Sequence, residues 1–179
     1  IQNSVIYANS LFALGMFCDS ASINSNLVKP MRPVIYTALF VKDKEELLRY
    51  FSPAHDNFYA DHITLKFRPE NIDDLVVGRE HFVEIIGRVQ NENGDALIVE
   101  CPLLENKHPH LTLSCADGIK PFYSNGLVEN AIKYNTAEYL KEKLRIVCVE
   151  GYFDGENVII KQWKKKSQNF WVGMELLQF

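Results

Sequence analysis

Little in this chain's charge marks a binder of duplex nucleic acid: 19 Lys and Arg stand against 23 Asp and Glu, for a net charge of −4. Without a global positive field, any contact with nucleic acid has to be local. Cysteine is scarce, four in 179 residues, and Cys18, Cys101, Cys115 and Cys148 have none of the short paired spacings of zinc or redox sites. The last three sit in apolar strand-like runs, which predicts buried free thiols and a reducing, cytoplasmic setting. A glycine-rich phosphate loop and a Walker lysine are both missing. The apolar stretch from Val5 to Phe17 is too short to span a bilayer, is interrupted by Asn9 and Ser10, and lacks the basic flank of a signal peptide. No membrane partner is expected.

With 47% hydrophobic residues, the chain is long enough for one domain with a substantial core. Residues 1–30 read as an N-terminal extension, or the edge of a neighbouring region, in which Val5, Ile6, Leu11, Phe12 and Leu14 could form one amphipathic helix. Pro30 and Pro33 break the chain, and residues 31–179 read as the functional domain. Val34 to Val41 has the β-branched and aromatic composition of a central strand. Asp43 with Glu46 resembles a capping box opening a helix that carries Leu47, Leu48 and Phe51. Tyr59 to Phe67 reads as a strand, and His81 to Gln90 with Ala96 to Cys101 as a hairpin turning at Asn93-Gly94. His110 to Cys115 is a further strand. Ser124 is placed to cap a helix containing Leu127, Val128, Ala131 and Ile132. Leu144 to Phe153 and Val158 to Trp163 read as a second hairpin around Asp154-Gly155. The order predicts an α+β fold: two antiparallel lobes with a helix each, meeting at a cleft.

One pattern occurs twice, as His62-Ile63-Thr64-Leu65 and His110-Leu111-Thr112-Leu113. On a strand, the histidine and the threonine two residues on share a face while the aliphatics point into the core. Two such devices across a cleft would let one imidazole take a proton and the other give one, with hydroxyls holding phosphate oxygens. Histidine alone can fill both roles near neutral pH.

These tetrapeptides, in the contexts "ADHITLKF" and "HPHLTLSC", resemble the paired His-hydrophobic-Thr/Ser-hydrophobic motifs that define the two-histidine (2H) phosphoesterase superfamily. The resemblance covers the motifs and the element order from about Val34 to Trp163. It implies that His62 and His110 are the acid and base, that Thr64 and Thr112 bind phosphate oxygens, and that no cofactor or metal is needed. The implied substrate is an RNA end or a small oligonucleotide. A 2′,3′-cyclic phosphate opened to a 2′-phosphate is the leading expectation. A 2′,5′-linked or cyclic oligonucleotide signal is the runner-up, and a nucleotide-binding module without catalysis the third. The motifs lie only 48 residues apart, with a hairpin between them, so insertions that select a substrate are minimal.

Around this core, Tyr36 and Tyr123 are candidates for stacking on a base, and Lys66, Ser114 and Lys120 for contacting phosphate or lining the cleft. Lys66 and Ser114 are expected on the face of Thr64 and Thr112, two residues further along each strand. The tail, with Lys161, Lys164, Lys165 and Lys166 among Trp163, Phe170 and Trp171, reads as a basic and aromatic strip. A metal site from His55, His81, His108 and the motif histidines lacks an acidic partner at suitable spacing. Nucleophilic catalysis by Cys115 or Ser114 lacks a nucleophile-elbow sequence.

Overall fold

The hairpin predicted around Asn93-Gly94 forms, because the Asn91 side chain accepts from the backbone N–H groups of Asn93 and Gly94 and so folds the turn back on itself. The computed structural model describes residues 32–104 and 106–161. The expected N-terminal helix and most of the basic tail lie outside them. In chain order the elements are β1 (Tyr36–Val41), α1 (Lys44–Tyr50), β2 (Asn57–Phe58), β3 (His62–Phe67), β4 (Glu80–Gln90) and β5 (Gly94–Glu100). They continue with β6 (His110–Cys115), α2 (Tyr123–Lys133), β7 (Glu138–Phe153) and β8 (Val158–Ile159). The fold is α+β, and every described strand pairing is antiparallel.

Six strands pair in the order β1-β3-β6-β5-β4-β7, and β7 pairs back onto β1 from Tyr36↔Phe153 to Val41↔Cys148. The sheet therefore closes into a barrel, which leaves these six strands no free edge. β2 adds to β6 and β8 to β7.

The barrel interior is the principal core. Leu39, Ile63, Val83, Ile85, Leu97, Val99, Leu111, Leu113 and Cys148 are buried in one cluster, joined by Leu47 of α1 and by Phe51, which caps that helix. Each such aliphatic side chain removed from water contributes on the order of 1.5–3 kcal/mol. A second cluster forms outside the barrel, where Leu127, Val128 and Ala131 of α2 cover Val89, Ala96 and Ile98. The strand β5 is buried on both faces, with Leu97 and Val99 inside and Ala96 and Ile98 under the helix.

Local signals hold at α1, where Asp43 Oδ1 accepts from the Glu46 N–H at 2.8 Å. They fail at α2. That helix starts two residues earlier than a Ser124 cap would allow, its N-cap is Phe122 with no side-chain cap, and the Ser124 hydroxyl is buried without a hydrogen-bond partner. In the last hairpin, β7 begins at Glu138 rather than Leu144, and β8 ends at Ile159.

Candidate functional site

The two motif strands are neighbours. β3 and β6 pair through Ile63↔Leu111, both fully buried inside the barrel. Antiparallel register then sets His62 across from Thr112 and Thr64 across from His110, on the outer face of the barrel. The imidazoles are diagonal neighbours, a placement that puts backbones about 7–8 Å apart and lets long side chains meet. Proximity is also felt electrically: positive charge on His110 disfavours positive charge on His62. Among the described residues, no side-chain hydrogen bond engages either threonine hydroxyl. Both are free to turn toward a ligand between the rings.

A second layer of the pattern lies in the flanking strands. His62 is paired with Phe40 and Thr64 with Ala38, while His110 is paired with Ile98 and Thr112 with Ala96. The stretches Ala38-Leu39-Phe40-Val41 and Ala96-Leu97-Ile98-Val99 thus repeat as the motifs do. Each histidine has a bulky apolar neighbour and each threonine an alanine. This repeat was present in the sequence, but its signal becomes specific only once the two stretches are known to lie beside the motifs. The alanines leave hollows that larger groups fill: α2 covers Ala96, and Tyr36 leans past Ala38 to reach His62. The outer strip of β3 and β6 is thereby bounded by a helix on one side and by aromatic rings on the other.

The two rings are held differently. His110 Nδ1 lies 2.9 Å from the His108 carbonyl, so Nδ1 carries the proton and donates, and Nε2 is left to face a ligand. Burial pushes the His110 value below the ordinary imidazole range, the His108 hydrogen bond opposes that, and the His108 charge adds to it. His62 is instead stacked against Tyr36, with ring centroids 4.6 Å apart and planes 14° apart. Phe40 flanks it at 5.8 Å. Burial also lowers His62, the neighbouring Asp61 carboxylate raises it, and His110 lowers it. Asp61 is itself paired with Lys44 at 2.6 Å. Just before Asp61, Ala60 adopts φ 54° while its N–H donates to the Thr112 carbonyl. That left-handed residue kinks the chain between β2 and β3.

Lys66 and Ser114 do not lie on the threonine face. The β1–β3 register shifts so that Ala38 pairs with Thr64 and Thr37 with Lys66, leaving Leu65 as an extra residue. The same shift recurs in β6, where Ala96 pairs with Thr112 and Asp95 with Ser114, leaving Leu113 extra. Each bulge turns the next residue to the other face, which simple alternation cannot anticipate. Ser114 is consequently fully buried; it accepts from the His55 N–H and donates to Asp95. Asp95, also fully buried, is held by two hydrogen bonds from Arg88 at 2.9 and 2.7 Å. Lys66 faces Asp74 at 3.6 Å, beside a cavity of about 200 Å³ at the barrel mouth lined also by Thr37, Leu65, Arg79 and Glu150.

Both tyrosines pack against the protein itself. Tyr36 lies between His62 and Phe153, whose ring centroid is 5.3 Å away. Tyr123 packs on Gly94, where a Cβ would meet its ring at 2.9 Å, and its hydroxyl accepts from Asn91. Lys120 is exposed in the loop entering α2.

The competing constellations disperse. His55 Nε2 reaches the Asn91 carbonyl and His81 Nε2 the buried Glu150, so each imidazole is tied to a different part of the fold. Among the described residues, no three His, Cys, Asp or Glu side chains converge on one point. Cys101, Cys115 and Cys148 are free thiols. Burial raises the Cys115 thiol and pushes Cys148 up to about 12, far from a reactive thiolate. No described helix is long and apolar enough to cross a membrane.

No family model and no curated protein matches the chain.

Proposed function

We propose that this chain is a phosphodiesterase of the two-histidine type, acting without a metal on a 2′,3′-cyclic phosphate at an RNA end. The observation that carries the reading is the register of β3 and β6, which sets two imidazoles and two hydroxyls around one point on a single face. On this reading the halves β7-β1-β3 and β4-β5-β6 stand for the two lobes, and the described strands pair as one closed barrel.

In the reaction, a neutral imidazole removes a proton from water as the water oxygen bonds to phosphorus. The P–O3′ bond breaks, and the protonated imidazole delivers its proton to O3′, leaving a 2′-phosphate. Each proton transfer is worth roughly 10²–10⁴ in rate. The threonine hydroxyls donate to the non-bridging oxygens, where negative charge builds in the transition state. One imidazole must be neutral and the other charged, and the pair titrates as a unit. Because burial lowers both, the optimum is expected on the acid side of 6.5.

The test is hydrolysis of a panel: an RNA with a 2′,3′-cyclic end, 2′,5′-oligoadenylate and a cyclic oligonucleotide, with and without chelator. Turnover of the cyclic end that survives chelation and is lost in His62→Ala and His110→Ala is the expected result. Turnover confined to the signalling oligonucleotides moves the substrate and keeps the chemistry. Binding without turnover of any member leaves a nucleotide-binding module.

A further inference from the structure

We infer that Tyr36 is a positioning residue that fixes the ring plane of His62, doing by stacking what the His108 carbonyl does for His110 by hydrogen bonding. The inference rests on reading His62 as a proton-transfer group.

Three observations carry it. First, His110 has a hydrogen-bonded anchor at 2.9 Å, whereas among the described residues no side-chain hydrogen bond reaches the His62 ring. The torsion that spins an imidazole about its Cβ–Cγ bond has broad wells, so a ring with no anchor would not hold one orientation. Second, the Tyr36 and His62 planes differ by only 14°, so spinning the imidazole would drive its edge into the phenol ring. Third, Tyr36 is itself packed: Phe153, its partner across the β1–β7 ladder, has its ring centroid 5.3 Å away, and that of Phe40 is 6.5 Å away.

The sequence is arranged for this contact. In the β1–β3 ladder Tyr36 is paired with Phe67, well away from His62, and the bulge at Leu65 lies between them. The phenol must lean back over Ala38 to reach the imidazole, and a larger residue at 38 would block it. A stack also tolerates both charge states. A neutral imidazole packs on the ring, and an imidazolium is attracted to its π face. Unlike the His108 carbonyl, the stack sets no preference between the two ring nitrogens. The ionisable groups acting on His62 are Asp61, which favours its charged form, and His110, which opposes it. Burial raises the Tyr36 hydroxyl above the ordinary phenol range, and Asp61 adds to that.

The experiment compares wild type, Tyr36→Phe and Tyr36→Leu by NMR titration of the ring nitrogens of both histidines and by the pH profile of kcat and KM. Tyr36→Phe keeps the stack and is expected to hold the His62 titration near that of wild type and to retain most of the kcat that Tyr36→Leu loses. Tyr36→Leu is expected to lower kcat about tenfold or more with little change in KM, as misplacement of a reacting group does. It should also move the His62 midpoint up toward 6.5 as burial is relieved, with the His110 titration unmoved. If Tyr36→Leu does not fold, Tyr36→Met refills the space with a flexible chain and takes the same measurements. An unchanged His62 titration and kcat in the leucine variant, or equal disturbance of both histidines, overturns the inference. If the wild type turns over no member of the panel, the phosphodiesterase reading fails, and the NMR comparison still decides whether Tyr36 holds His62.

Discussion

The half-site built on β1 and β3 and the half-site built on β5 and β6 share a backbone plan and differ in what holds it. Both pair histidine with a bulky apolar residue, threonine with alanine, and both place a bulge directly after the threonine. On the β6 side the supports are a backbone carbonyl and a packed helix. On the β3 side they are the stacked rings of Tyr36 and Phe153 and a nearby carboxylate. Repeated geometry with unlike supports indicates that the position of the four side chains is the common requirement, and that each flank has its own way of meeting it.

The strongest way to break that comparison is to remove one imidazole at a time. His62→Ala and His110→Ala should each lower kcat by roughly 10²–10⁴ while the far-UV circular dichroism stays unchanged, since both rings lie outside the barrel core. Full activity in either variant would mean that only one half is catalytic. Thr64→Val and Thr112→Val keep shape and delete a hydroxyl, so each should cost roughly 10- to 100-fold in kcat, the worth of a hydrogen bond to a charged oxygen. Equal losses would make the halves equivalent toward phosphate, and unequal ones would identify the tighter side.

Enlarging the alanines should separate the two flanks. Ala96→Leu must displace α2 and is expected to destabilise the fold by about 1–3 kcal/mol, read as a lower Tm. Ala38→Leu should instead push Tyr36 off His62 and reduce kcat more than it reduces stability. The reverse pattern would locate the rigid flank on β1.

The smallest expected effect is on acid stability. Both histidines have folded-state values below 6.5, so the unfolded chain protonates first. Their contribution is complete above pH 6.5 and is lost as pH falls through the folded-state values. A double His62→Gln, His110→Gln variant should therefore lose less Tm than wild type between about pH 7.5 and about pH 5. Identical slopes would show that burial of the rings does not govern acid sensitivity.

Sequence alone made β1, α1, the β4–β5 hairpin, α2 and the motif strands legible, because composition, capping and turn residues act over a few neighbours. Barrel closure was not legible, since the β1–β7 contact joins distant segments with no local mark. The motif histidines and threonines were identifiable from alternation, and that same alternation misplaced Lys66 and Ser114. Their inward turn comes from bulges at Leu65 and Leu113, which depend on the partner strand and not on the residue itself. Tyr36 was noted as an aromatic near the site. Its stacking with both His62 and Phe153 comes from strand pairing and has no local mark.

Closure of the barrel by its first and last long strands also fixes the order of events during synthesis. Residues 62–115, which carry both motifs, leave the ribosome before β7 exists to clamp β1 and β4. Contacts of such long sequence separation make folding slow and leave β1 and β4 as open edges in the nascent chain. A ribosome stalled before residue 138 would hold a chain with every motif residue present and no closed barrel around them.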